Sequence, residues 1–98
     1  MYKVVYLPTA RRQLEEAVMY IAFDLADPGT AQALADGVDT IVFQLREMPY
    51  RYPIYHSLYA MKNEIRSFPV KNYNVYYTID EVNHTVEILR VLHYLRRQ

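Results

Sequence analysis

The apolar positions change period several times along the chain, and each change marks an element. Lys3 to Leu7, KVVYL, is a short run of β-favouring residues stopped by Pro8, and it predicts a first strand. Thr9 is then placed to cap a helix. From Ala10 onward Leu14, Val18, Ile21 and Leu25 recur at helical spacing, with Arg11, Arg12, Glu15 and Glu16 turned away from that stripe. Asp27-Pro28-Gly29 breaks the pattern; Asp27 is suited to cap a second helix and Pro28 to open its first turn. The second stripe is Ala31, Leu34, Val38, Ile41, Val42 and Leu45, ended by Met48-Pro49.

Residues 49–59, PYRYPIYHSLY, follow neither period and read as an aromatic connecting loop. Three strands are predicted after it, at Glu64 to Val70, Tyr73 to Ile79 and Thr85 to Leu92, with turns at Lys71-Asn72 and across Asp80 to His84. The order is β-α-α-β-β-β. Two amphipathic helices need one apolar sheet face to cover them, so the expected architecture is α+β: a helical hairpin packed on one face of a small, mainly antiparallel sheet, with the other face free.

At 98 residues the chain is expected to form a single domain spanning residues 1–98. Hydrophobic residues make up 52% and charged residues 22%, with two glycines, which describes a folding chain and not a disordered one. The absence of cysteine excludes disulfides and thiolate metal sites and, with no signal-like or membrane-spanning run, suggests a cytoplasmic protein with no membrane partner. His56, His84 and His93 lack any short ligand spacing, and no glycine-rich phosphate loop is present, so neither a metal nor another cofactor is expected.

Net charge is zero, but its distribution is uneven. Residues 1–45 carry three basic and six acidic side chains, whereas after Glu87 come Arg90, Arg96 and Arg97 with no acid. An acidic or phosphate-bearing partner would be met at the C-terminal end.

Three features of the second half belong together: Arg66 early in its strand, the NY-x-V-x-Y centre at Asn72, Tyr73, Val75 and Tyr77, and the closing ILRVLH followed by arginines. With the strand, P-T-A helix start and Tyr20-Ile21-Ala22 segment of the first half, the chain resembles the RelE/ParE superfamily of bacterial toxins over essentially its whole length. The resemblance implies a toxin of a type II toxin-antitoxin module, partnered by a cognate antitoxin. It also implies one of two mechanisms. RelE-like members cut mRNA in the ribosomal A site, and ParE-like members inhibit DNA gyrase without being nucleases.

Metal-independent RNA cleavage requires a base for the 2′-OH, cations for the phosphorane and an acid for the leaving oxygen. The resemblance offers Arg66 and Arg90 as phosphate clamps and His93 or Tyr94 for proton transfer and stacking. Lys62, Lys71, Arg96 and Arg97 are the accompanying substrate-binding candidates. Ribosome-dependent mRNA cleavage is the leading expectation, with gyrase inhibition or a degenerate antitoxin-binding module as alternatives. RelE-like nucleases usually place more than one lysine before the strand arginine, whereas here only Lys62 precedes Arg66 in that neighbourhood. Arg90 is also ambiguous: strict alternation sets it on the same face as Val86 and Ile88, leaving either the rim of the core or the free groove. The same alternation separates His93 from Arg90 and Tyr94.

Overall fold

The computed structural model describes residues 1–55 and 64–95. Strand β1 (Lys3–Tyr6) leads into helix α1 (Pro8–Met19), a π-helical turn at Tyr20–Asp24 and helix α2 (Pro28–Leu45). Four strands come next: β2 (Ile54–Tyr55), β3 (Ile65–Val70), β4 (Tyr73–Asp80) and β5 (Thr85–His93). They form one sheet in the order β1-β5-β4-β3-β2. Among the described residues only the β1–β5 pairing is parallel. The expected α+β arrangement is therefore present, with β5 between β1 and β4, plus one strand more than the sequence suggested.

That additional strand lies inside the segment read as a loop. Ile54 and Tyr55 pair antiparallel with Arg66 and Ile65 and form the far edge. Two residues flanked by Pro53 are too short to set up a visible alternation.

Both helix boundaries depart slightly from expectation. Pro8, not Thr9, opens α1: it occupies the first helical position, where its missing N–H costs nothing, and Leu7 precedes it as the capping residue. The stripe through Leu14, Val18 and Ile21 is also interrupted. In the π-helical turn Leu25 N–H donates to the Tyr20 carbonyl, five residues back. The wider turn rotates the residues after it, so Ile21 is buried while Leu25 is exposed. Asp27 does cap α2, accepting from Thr30 N–H at 3.1 Å and from the Thr30 hydroxyl at 2.7 Å.

The core lies between the helical layer and one sheet face. Ala10, Ala17 and Ile21, with Leu34, Val38 and Leu45 of α2, meet Phe68, Val70, Val75, Tyr77, Val86, Ile88 and Val91. Small residues set the spacing between layers. A Cβ on Gly37 would stand 2.7 Å from Val70 Cγ1, so α2 can approach β3 this closely only without a side chain there.

Candidate functional site

The face of the sheet away from the helices is assembled by cross-strand pairing. Arg90 of β5 lies opposite Tyr76 of β4, and Tyr76 opposite Ser67 of β3. One row further along, Glu87, Thr78, Ile65 and Tyr55 stand side by side across four strands. Opposed residues share a face, so these two rows bring together one guanidinium, one carboxylate, two tyrosines and two hydroxyl side chains. Tyr55 meets the Tyr76 ring edge-on at 4.9 Å, and Tyr76, Ile65 and Thr78 are 2%, 4% and 5% exposed, so the centre of this face is buried and not free as expected. The Thr78 hydroxyl donates to the Glu64 carbonyl at 2.9 Å.

Arg90 reaches this face through a β-bulge. Tyr77 pairs with Ile88 and Tyr76 with Arg90, leaving Leu89 as the extra residue. Val86 and Ile88 point to the core before the bulge, and Val91 and His93 take that side after it. Strict alternation is broken, and Arg90 lies on the face away from the helices and not on the core face it shares by simple counting. It is half-buried, with Nη1 donating to the Leu89 carbonyl at 2.8 Å.

Arg66 is on the other side of the sheet. Its cross-strand partner is Tyr77, whose ring is fully buried in the core. The Arg66 guanidinium donates to the Tyr52 carbonyl at 2.7 Å and lies 5.0 Å from the Tyr50 ring centroid. It clamps the segment after α2, helped by the Tyr77 hydroxyl, which donates to the Pro49 carbonyl at 2.6 Å. Burial pushes the Tyr77 phenol up to about 12.

His93 also belongs to the helix-covered side, opposite Tyr73, and meets that ring edge-on at 5.4 Å. The Tyr94 ring is tilted against it at 4.7 Å, and His93 Nδ1 accepts from Leu95 N–H at 3.3 Å. The His93 and Tyr73 rings border a groove that also includes Gln13, Glu16, Tyr20 and Leu95. Tyr94 itself comes just after the last residue of β5 and is exposed.

The four residues considered for catalysis thus fall in three separate places. Arg66 and His93 are two strands apart, about 10 Å, and their positions differ by four residues along β4, roughly 13 Å. Arg90 is on the opposite face. Only His93 and Tyr94 are in contact. Among the substrate-binding candidates, Lys71 is exposed in the β3–β4 turn with a positive φ of 53°, and Lys62, Arg96 and Arg97 lie outside the described residues.

Sequence reasoning missed the bulge, and with it Tyr76 as the neighbour of Arg90 and Gln13 as a partner of β5. One signal was present. The adjacent apolar pair Ile88-Leu89, followed by Arg90 and then Val91, cannot fit an unbroken alternation.

A second polar cluster sits at the end of the sheet near Arg66. Tyr2 and Tyr50 both donate to the Glu81 carboxylate, and the His84 ring stacks on Tyr2 at 3.7 Å. The Tyr50 and Tyr2 hydroxyls hold the Glu81 carboxyl below its usual range, while Tyr50 is pushed up to about 12 by that same hydrogen bond. No helix among the described residues is long and apolar enough to cross a membrane.

Three solved structures share this architecture. The chain is similar to one from the chromosomal ParDE TA system of P. aeruginosa, at 14% identity and TM-score 0.73, covering 95% of this chain and 96% of that one. It is similar to one from the RelBE2 toxin-antitoxin complex of Mycobacterium tuberculosis, at 28% identity and TM-score 0.64, covering 94% and 96%. A third, from the archaeal RelE-RelB complex of Pyrococcus horikoshii, has 10% identity and TM-score 0.56 over 98% of both chains. No curated protein sequence matches significantly. The profile of the ParE toxin of the type II toxin-antitoxin system parDE matches residues 4–97, nearly the whole chain, and this protein therefore belongs to the ParE toxin family.

Proposed function

We propose that this toxin inhibits growth without catalysis, by binding DNA gyrase in the ParE manner, and that a cognate antitoxin neutralises it. The observation that carries this reading is the dispersal of Arg66, Arg90 and His93. General acid-base cleavage of RNA needs its base, acid and phosphate clamps within hydrogen-bond reach of one phosphate. Here one arginine holds backbone carbonyls on the helix side, another lies on the face away from the helices, and the histidine accepts from the backbone. The zero net charge accords with a protein target more than with the heavily phosphorylated ribosome surface.

In this reading the sheet face away from the helices is the recognition surface, through the half-buried Arg90, Glu87 and Tyr55. Mixed charge with aromatics suits a protein contact. Lys62, Lys71, Arg96 and Arg97 are proposed as outlying cationic contacts, and the setting of action is the cytoplasm. The antitoxin assignment rests on all three solved relatives coming from toxin-antitoxin systems.

Ribosome-dependent mRNA cleavage is the second reading, favoured by the 28% identity to the RelBE2 chain and by the guanidinium-tyrosine neighbourhood of Arg90 and Tyr76. One experiment separates the two. Purified protein is added to a gyrase supercoiling reaction and, in parallel, to a reconstituted translation reaction whose message is mapped by primer extension. Loss of supercoiling with intact message supports the gyrase reading; cuts confined to translated message overturn it in favour of the second.

A further inference from the structure

Ile88 and Val91 of β5 both direct backbone groups away from β4, although they stand three residues apart. The Ile88 carbonyl accepts from Leu7 N–H on the β1 side. Val91 N–H donates to the Gln13 side-chain carbonyl of α1 at 2.8 Å. Tyr94 N–H is on the β4 side again, bonded to the Asn72 carbonyl. In a regular strand successive residues direct their hydrogen-bonding groups to opposite sides, so positions three apart should differ. The bulge at Leu89 accounts for the inversion. β1 cannot receive Val91 N–H, because its pairing with β5 ends at Tyr6 opposite Ile88 and Pro8 then starts α1. Gln13 takes the place of the strand that has run out.

We propose that Gln13 is a positioning residue whose side-chain carbonyl holds the β5 bulge and so selects the face on which Arg90 is displayed. In an unbulged register Arg90 would share the face of Ile88, beneath the helices, and Val91 N–H would turn toward β4. The bulged register leaves an outward N–H at a seam where Val91 is 3% exposed, and a buried N–H needs an acceptor. Gln13 supplies it from a rigid helix. This role concerns the presentation of the sheet face and holds whichever target that face meets.

The test uses the labelled full-length protein in three forms: parent, Gln13→Met, which keeps side-chain length without the acceptor, and Gln13→Glu, which restores an acceptor. Amide exchange at Val91 and the cross-strand NOE between Arg90 and Tyr76 are read by NMR. We expect Val91 exchange to rise about tenfold or more in Gln13→Met, with Val75 and Ile88 unchanged, the NOE weakened, and both signals restored in Gln13→Glu. Equal Val91 protection in all three forms overturns the proposal, since packing alone would then hold the bulge. The parent supplies a check independent of any variant: a scalar coupling across the hydrogen bond between Val91 N–H and the Gln13 side chain supports the assignment, and its absence from a resolved spectrum overturns it. These readouts do not involve gyrase, so they stand apart from the outcome of the functional assay.

Discussion

Tyr2 and Tyr50, at the start of β1 and beyond the end of α2, donate their hydroxyls to the same carboxylate, that of Glu81 in the β4–β5 turn. One acidic residue thereby ties the N-terminus, the segment after the helical hairpin and the end of the central hairpin into a single node. The charge on Glu81 raises the Tyr50 phenol, because ionising Tyr50 would set two anions side by side and remove a donor. Glu81→Gln should bring Tyr50 from about 12 back toward the ordinary tyrosine value of 10.0. Ultraviolet titration of the parent, of Glu81→Gln and of a Tyr50→Phe reference checks it, and an unchanged Tyr50 titration would show that the node does not persist in solution.

Gly37 and Val70 make a sharper packing test. Gly37→Ala sets a methyl group against Val70 Cγ1, and the resulting strain should outweigh alanine's better helix propensity, lowering stability by about 1 kcal/mol. In a Val70→Ala background the obstruction is gone, and the same substitution should raise stability by about 1 kcal/mol. Urea unfolding of the four proteins gives the coupling. Identical effects in both backgrounds would mean that the helix and strand are not held this closely.

The arginines should separate cleanly. Arg66→Ala removes a clamp on the Tyr50 and Tyr52 carbonyls and should cost about 1–2 kcal/mol of stability. Arg90→Ala should change stability little and, on the proposed gyrase reading, weaken inhibition of supercoiling, since among the described residues the Arg90 guanidinium donates only as far as the adjacent Leu89 carbonyl. Urea midpoints and a supercoiling assay on both variants decide the matter; the reverse pattern would move Arg66 into the functional surface.

At high pH the buried phenols control stability. Tyr6 and Tyr77 are raised to about 12, mainly by burial, from an unperturbed 10.0. A group whose folded pKa exceeds its unfolded one binds more protons in the folded state, so its contribution is complete below pH 10 and is lost as pH rises toward 12. Stability should therefore fall through that window, and Tyr77→Phe should flatten the fall while lowering stability by about 1–2 kcal/mol at neutral pH through loss of the Pro49 contact. The Tyr6 hydroxyl is buried with no hydrogen-bond partner among the described residues, so Tyr6→Phe should flatten the same fall at little or no cost.

The elements that sequence reading located well are those whose signals are local and repeated. The stripe of α2 and the cap at Asp27 depend on residues a turn apart, and the β4 alternation from Tyr73 to Ile79 needs only its own strand. The misjudged features depend on partners far away in sequence. β2 exists because Arg66 and Ile65 present an edge to it, and the bulge is held by Gln13, seventy-eight residues from Val91. The candidate site shared that fate. Its residues were nameable from family resemblance, but the sides taken by Arg90 and His93 were set by one extra residue in β5, which exchanges the faces of every residue after it.

The parallel pairing of β1 with β5 has a consequence for how the toxin comes into being. Among the described residues β1 pairs with β5, some eighty residues later in the chain, and β5 is also the strand that joins β1 to β4. A nascent chain stopped before Thr85 has an edge strand with nothing to pair with and a helical hairpin with no sheet face wide enough to cover. Such a distant closing contact comes late in folding. The sheet is thus complete only once β5 is in place, and the folded domain depends on the one strand that joins β1 to the rest.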